Sequence, residues 1–336
     1  MEKLVIPANY HSELSLYDTE LAIKQIKDFF QKELSAALNL KRATAPLFVD
    51  ASTGLNDNLN GVERPVSFDV KDEPGIKAEV VQSLAKWKRY ALGRYGFPVH
   101  EGLYCDMNAI RRDEDLDNIH SIYVDQWDWE QVIEKEDRTK EYLESTVRKI
   151  YACLKRTEEY LAVLYPYVGR ILPNEITFID SEELLQRYPD KSPKERERLI
   201  CLEKKAVFIE RIGGVLSNGK SHDKRAPDYD DWELNGDILV YYPVLGIGLE
   251  LSSMGIRVDA EALKKQLAIT KLEKRLDMPF QKAILEEKVP YTIGGGIGQS
   301  RLCMYFLRKA HIGEVQSSLW SNKTIEEAKE HGIIIL

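Results

Sequence analysis

Cysteine is scarce in this sequence. There are four in 336 residues, Cys105, Cys153, Cys201 and Cys303, far apart and without a Cys-x-x-Cys pair. Such spacing excludes a disulfide framework and a thiolate zinc site, and it points to reduced thiols, in the core or at the surface, of a cytoplasmic protein. Long apolar runs are missing as well. The longest, residues 238–251, is broken by Pro243 and Glu250, so no membrane-spanning helix and no membrane partner are expected. The opening MEKLVIPANYHSE lacks the basic, apolar and small-residue zones of a secretory signal. Positive charge is not in excess either. The formal net charge is −8, which argues against general nucleic-acid binding. The 43% apolar and 30% charged fractions are those of an ordinary globular chain, large enough for one big domain or two ordinary ones.

What is present centres on residues 103–130, LYCDMNAIRRDEDLDNIHSIYVDQWDWE. An apolar segment reaches Arg111 and Arg112, crosses the acidic turn Asp113-Glu114-Asp115, and returns with period two. One parity carries Ile122, Val124, Gln126 and Asp128; the other carries Tyr123, Asp125, Trp127 and Trp129. The pattern predicts a β-hairpin with an arginine at its mouth. Its polar face is either the floor of a pocket or a solvated surface.

Residues 17–38 carry Leu21, Ile23, Ile26, Phe30, Leu34 and Leu38 at helical spacing, with Asp18 or Thr19 as the cap. Pro46 then favours a sheet edge or an interface, so helix and strand together make either a dimer contact or a peripheral element. A turn-rich loop at 53–61 surrounds Asp57. Val66, Phe68 and Val70 alternate as a strand that pairs near residues 79–81. A short helix at 83–94 bears Lys86, Lys88 and Arg89, a face expected to meet water. The strongest helical signal spans 137–165, and a strand at 176–179 precedes helices at 181–188 and 193–203. The last of these is charge-rich and reads as a solvated face.

Residues 214–221, GVLSNGKS, match the phosphate-loop pattern GxxxxGK[ST] after an apolar strand at 206–212. That motif needs a helix directly after its lysine, because the helix amides hold the phosphates. Here Pro227 and Gly236 interrupt an acidic continuation, so Ser-Asn-Gly is expected to turn a hairpin instead. Asp228, Asp230 and Asp231 crowd one turn, and Asp237 opens the strand GDILVYYPVL. In the next strand, GLELSSMGIRVD, period two puts Glu250 and Ser252 on one face and Leu249, Leu251 and Ser253 on the other. A glutamate in so apolar a strand wants a metal or a cationic partner, unless the strand is an edge with one wet face. Residues 292–307, TIGGGIGQSRLCMYFL, set a glycine-rich strand before a helix with Arg301 in its first turn. The dinucleotide fingerprint fails there, since Arg301 stands where its third glycine belongs. Such an arginine suits phosphates or a base, and the glycines admit a closely approaching ligand.

The arginine at the hairpin mouth and the glycine strand leading into an arginine-bearing helix resemble motifs 2 and 3 of class II aminoacyl-tRNA synthetases. The first helix with Pro46 fits the looser motif 1, which in that family builds a dimer. The strings DNLNG, QSLAKWKRY, HSIYVDQWDWE, RAPDYDDW, NGDILV, ELSSMGIRVDA and TIGGGIGQSRL are similar, through nearly the whole chain, to bacterial ammonia-dependent asparagine synthetases (aspartate–ammonia ligases).

The resemblance implies an α+β fold: a class II synthetase-like core in which a mainly antiparallel sheet is flanked by helices. It implies a single catalytic domain over residues 1–336, a homodimer, no anticodon-binding domain and no glutaminase subunit; residue 2 is Glu, not a cysteine nucleophile. The implied reaction activates the side-chain carboxylate of L-aspartate with ATP as β-aspartyl-AMP, releases pyrophosphate, and lets ammonia displace AMP. Arg111 would hold the reacting carboxylate and the α-phosphate, and Arg301 would lie against the adenine or the phosphates. Asp237 and Glu250 would serve ATP and Mg²⁺, with Ile119, Ser121 and Val124 along the nucleotide. Lys88, Gln126, Asp128, Ser253, Arg257 and Gly296 match the aspartate pocket. Asp57 is the candidate for holding ammonium and taking its proton, and Asp230 serves the substrate amine or closes the loop. Gln82 stands where a histidine is expected, and the stretch between Trp232 and Asn235 is shorter than usual; neither departure is expected to touch these residues. Two other classes remain open: a non-catalytic paralogue of this family, and a phosphate-loop NTPase using Lys220.

Overall fold

The computed structural model describes residues 4–57, 59 and 63–336. The first helix, α1 (Leu16–Ala37), is capped by Ser15, whose hydroxyl accepts the Asp18 N–H at 3.1 Å, so neither Asp18 nor Thr19 is the cap. Ala22, Ile26, Phe30 and Leu34 recur every fourth residue and are fully buried. Pro46 lies between two short strands, β1 (Leu40–Arg42) and β2 (Phe48–Asp50), in which no ladder donor is lost. The strands β3 (Ser67–Val70) and β4 (Glu73–Val80) join β2 in a small antiparallel sheet. Helix α2 (Ala85–Tyr95) follows, and then the expected hairpin, β5 (Gly102–Ile110) and β6 (Tyr123–Val132).

Helix α3 (Lys140–Leu164) leads to β7 (Thr177–Asp180), α4 (Ser181–Arg187), α5 (Pro193–Lys204) and β8 (Ala206–Glu210). Strands β9 (Asp230–Tyr242) and β10 (Ile247–Arg257) form a long hairpin, followed by α6 (Ala260–Thr270) and α7 (Pro279–Leu285). The glycine-rich strand β11 (Thr292–Gly298) runs straight into α8 (Gln299–Phe306), and α9 (Asn322–Glu330) comes last.

The main sheet has the order β1-β5-β6-β11-β10-β9-β8-β7, antiparallel except for the parallel pairs β1–β5 and β7–β8 at its two edges. One face is dry. There Trp127 and Trp129, both fully buried, pack with α1, α3 and α8, and Phe30 meets the Trp127 ring at 4.9 Å. The other face is covered in two places. At one end α2 lies over β5 through Leu84, Ala91, Leu92, Leu103 and Met107. At the other, α5 rests on β8 and β9 through Ile200, Cys201, Val207 and Leu239. Gly248 lets α5 come close, because a Cβ there would stand 3.1 Å from Cys201 Sγ. The gap between α2 and α5 is the cavity described below. All four cysteines are free and buried.

Two expectations change at the strands. Asp237 does not open its strand: β9 already begins at Asp230, so the stretch from Trp232 to Asn235 is continuous strand rather than loop. In β10 a bulge at Leu251 breaks the parity, since Glu250 pairs with Leu239 while Ser252 pairs with Ile238. Beyond the bulge Ser252 turns inward, and Glu250, Ser253 and Arg257 share the cavity face.

Candidate active site

A cavity of about 380 Å³ opens between α2 and α5, floored by β6, β11 and β10. Period two along β6 points Gln126 and Asp128 at it, as the sequence predicts, and buries Glu130 beneath on the same face. Lys88 comes down from α2. It is 1% exposed, its Nζ lies 2.9 Å from Asp128 Oδ2 and donates to the Gly295 carbonyl at 2.8 Å. Arg257 grips Glu130 through Nε at 2.9 Å and Nη2 at 2.7 Å, and its Nη1 reaches Asp230. Thr292 adds a hydroxyl to Glu130 at 2.7 Å. Burial opposes ionisation of Glu130, yet Arg257 and Lys88 outweigh it and hold the carboxyl below its ordinary value. At Asp230 burial wins and the carboxyl is raised. Asp128 keeps a buried Oδ1 with no partner. An acceptor so placed is an invitation to an ammonium group.

The glycines of β11 serve these side chains first. A Cβ on Gly294 would collide with Glu130 Oε2, and one on Gly296 with Gln126 Oε1. The strand is glycine-rich so that charged groups can lie flat across it, and a ligand above them is reached through those groups.

Arg111 follows the last residue of β5, its N–H bonded to the Ile122 carbonyl at 2.8 Å across the hairpin mouth. Its Nε and Nη2 lie 3.4 Å from the Gln82 backbone carbonyl, and the side chain lines the cavity. Gln82 is therefore no bystander: it holds Arg111, and its Nε2 donates to the Asp57 carbonyl at 2.8 Å. Asp57 is 1% exposed, with Oδ1 on the Leu59 N–H at 3.1 Å and Oδ2 buried without a partner. Burial raises its carboxyl against the pull of Lys86 and Arg111. A carboxylate with a raised pKa is a better proton acceptor near neutral pH.

The α5 end is more open. Arg301, in the first turn of α8, rests on the carbonyls of Ile119 and Glu250 at 3.4 and 3.3 Å and lies 3.8 Å from the Glu250 carboxylate. Asp125, on the dry face of β6, anchors that turn by accepting the Ser300 N–H at 3.1 Å. Burial works against the Glu250 charge, but Arg301, Arg225 and Lys194 together hold its carboxyl below the usual value. Asp237, alone among the residues proposed from sequence, does not line the cavity. Arg225 stands over it, bonded to its Oδ2 and to Ser253 Oγ. Burial and repulsion from Glu250 and Asp223 push the Asp237 carboxyl up.

Asp57, Lys88, Arg111, Ile119, Ser121, Val124, Gln126, Asp128, Asp230, Glu250, Ser253, Arg257, Gly296 and Arg301 thus share one cavity. Sequence reasoning missed Arg225 and Lys194, which also line the cavity, and Glu130 and Lys86, which are buried behind it. Glu130 continues the parity of Gln126 and Asp128 and was legible from it. Arg225 stands in the quoted RAPDYDDW string. Lys86 and Lys194 were set aside as solvated. Lys86, Lys88 and Arg89 are in fact at most 3% exposed, because α2 is enclosed by the sheet on one side and by later segments on the other. Lys194 sits at the cavity rim because Ser192 and Glu195 form a capping box that starts α5 just before it. The phosphate-loop match is a hairpin: Val215 bridges Ser221, and Gly219 turns with φ 78.

The profile of the aspartate-ammonia ligase family matches residues 17–332. The chain belongs to that family. An aspartate–ammonia ligase of Clostridium perfringens is 61% identical over 336 residues, covering all of both chains. One from Lactobacillus johnsonii is 59% identical over 334 residues, 99% of each. Among solved structures, the asparaginyl-tRNA synthetase of Pyrococcus horikoshii complexed with asparaginyl-adenylate superposes with a TM-score of 0.64 at 16% identity, over 90% of this chain and 70% of that one. The asparaginyl-tRNA synthetase of Entamoeba histolytica gives 0.63 at 14% identity, over 90% of this chain and 66% of that one. The chain therefore has the fold of the class II aminoacyl-tRNA synthetases, α+β with a mainly antiparallel sheet.

Proposed function

We propose that this cavity joins ammonia to the side-chain carboxylate of L-aspartate, driven by cleavage of ATP to AMP and pyrophosphate. The observation that carries the reading is a single cavity in which Arg111, Lys88 and Arg257 stand beside the partnerless buried oxygens of Asp57 and Asp128. A substrate with two carboxylates and one ammonium needs both kinds of partner. Arg257 and Lys88 present positive charge to the α-carboxylate, while Asp128, Gln126 and Asp230 present acceptors to the α-ammonium. Arg111 receives the β-carboxylate and the α-phosphate together.

A β-carboxylate oxygen attacks the α-phosphorus, the bond to pyrophosphate breaks, and pyrophosphate leaves with the electron pair. Arg111 donors aimed at the shifting charge supply ~3–4 kcal/mol, as preorganised donors commonly do. Ammonium then gives a proton to Asp57. The nitrogen lone pair attacks the β-carbonyl carbon of the adenylate, the C–O bond to phosphate breaks, and AMP departs; the remaining surplus proton on nitrogen passes to solvent. Ile119, Ser121, Val124 and Arg301 line the nucleotide.

Glu250 at the cavity wall, with Asp237 behind it under Arg225, would hold Mg²⁺, which typically takes one or two carboxylates together with phosphate oxygens. Bound there, the ion would neutralise phosphate charge.

We read residues 1–336 as one catalytic unit, acting as a cytoplasmic homodimer on free ammonia with neither a glutaminase subunit nor a nucleic acid. The exposed Leu47, Phe48 and Phe68, on and beside β2 and β3, offer the apolar surface for the dimer. No helix among the described residues is long and apolar enough to cross a membrane.

The test is aspartate-dependent exchange of labelled pyrophosphate into ATP without ammonium. The native chain should catalyse it and Arg111→Ala should abolish it; an unchanged rate in the variant would refute the role of Arg111.

A further inference from the structure

Beneath Asp57 lies a set of charges that neither aspartate nor nucleotide uses. Lys86 is 3% exposed and stands two residues before Lys88 on α2. Positions two apart on a helix point to different sides, so the two lysines serve different ends of the cavity. The Lys86 Nζ is 3.0 Å from Asp228 Oδ2 and 3.5 Å from the Asn56 carbonyl. Asp228 is fully buried and also takes Gln281 Nε2 at 2.7 Å and Arg275 Nη1 at 3.4 Å. Asn56 in turn fixes the backbone around the site, its Oδ1 accepting the N–H groups of Asp57 at 3.0 Å and Gln82 at 2.9 Å. The Asp57 backbone is thus held at both its N–H and its carbonyl, while its Oδ2 has no partner.

We propose that Lys86 is the positioning residue of the ammonia end: anchored by Asp228, it lies against the Asn56 carbonyl and holds the Asp57 carboxylate in place to receive ammonium. This rests on the reading of Asp57 given above. Among the described residues, charged or titratable groups face Asp57 from three elements. Lys86 comes from α2, Asp228 and Tyr229 from the segment before β9, and Arg111 from the hairpin mouth. Burial and Asp228 favour the neutral acid; Lys86 is the largest opposing charge, ahead of Arg111. Without Lys86, Asp57 would hold its proton to higher pH, and a smaller share of it would be free to take one from ammonium in the acid range. The adenylation step, which uses Arg111 and the nucleotide end, would survive.

The experiment uses the full chain as Lys86→Met, the charge-balanced double variant Lys86→Met/Asp228→Asn, and Lys86→Arg. Pyrophosphate exchange reports adenylation and the integrity of the fold, and ammonium-dependent asparagine formation across pH reports the second step. In Lys86→Met kcat/KM for ammonium should fall by about 10²-fold, the low end of a general-base contribution, and its acid limb should move to higher pH; the double variant, which also loses the opposing Asp228 charge, should shift less. Exchange should persist, and hydroxylamine, a nucleophile that arrives already neutral, should lose far less than ammonium. Lys86→Arg should recover much of the ammonium reaction. An unmoved acid limb, or exchange falling in step with ammonium turnover, would overturn the proposal. Asp57→Asn separates the two layers. If it leaves the ammonium step intact, the reading of Asp57 is wrong and the proposal goes with it. If it impairs that step while the Lys86 variants do not, only the proposal fails.

Discussion

Arg257 is held by Glu130 and Asp230, and Lys88 by Asp128, so the cations proposed to meet aspartate are fixed in place by their own partners. Such pairs are costly to break singly. Glu130→Gln leaves Arg257 and Lys88 short of a buried counter-charge and should cost ~3–5 kcal/mol in urea unfolding at neutral pH. The sign with pH follows from the depressed Glu130 carboxyl. Its stabilisation is fully present above the unfolded value of about 4.3 and is lost as pH falls through the lower folded value, so the native chain and the variant should converge only in acid. A difference that stayed constant into strong acid would contradict this. Gly294→Ala puts a methyl group into Glu130 Oε2, with Arg257 Nη2 only 2.6 Å away. It should destabilise by ~1–3 kcal/mol, as overpacking does, and raise the KM for aspartate more than that for ATP. Equal effects on the two constants would show that β11 does not act through the aspartate floor.

At the scale of elements, much was legible because apolar periodicity reports one wet face and one dry face. The helices α1, α3, α4 and α5 and the hairpin of β5 and β6 lie where spacing put them. What failed, failed for physical reasons. The faces of β10 were misread because a bulge adds one residue, and period two cannot see it; Glu250 and Ser253, assigned to opposite sides, work on the same one. The lysines of α2 read as solvated because a helix buried on several sides by polar partners carries no apolar stripe. The turn around Lys220 was legible from Pro227 and the acidic run that bar a following helix. Lys220→Ala should leave kcat, and the KM for ATP, within about twofold, surface substitutions away from special features being worth within ±0.5 kcal/mol. A large loss of ATP affinity would revive the phosphate loop.

For the whole molecule, the fold supplies a floor and two flanking helices, and the site is assembled where they meet. Single members of the cavity could be suspected from local pattern, but their grouping was readable only through the resemblance to a family, since no spacing rule links Asp57, Arg111, Asp230 and Arg301 across the chain. Their convergence in one cavity is the structural fact that periodicity could not supply. Gln82 shows the limit of a residue-by-residue transfer. It departs from the family pattern, yet it holds Arg111 by its carbonyl and Asp57 by its amide. The central claim is that this assembly makes an adenylate of aspartate and opens it with ammonia. The most direct test is product analysis after incubation with ATP, Mg²⁺ and aspartate, supplying either ammonium or glutamine as the nitrogen source. Asparagine and AMP in equal amounts, with ammonium far better than glutamine, is the predicted result; ADP without asparagine, or no turnover, would contradict it.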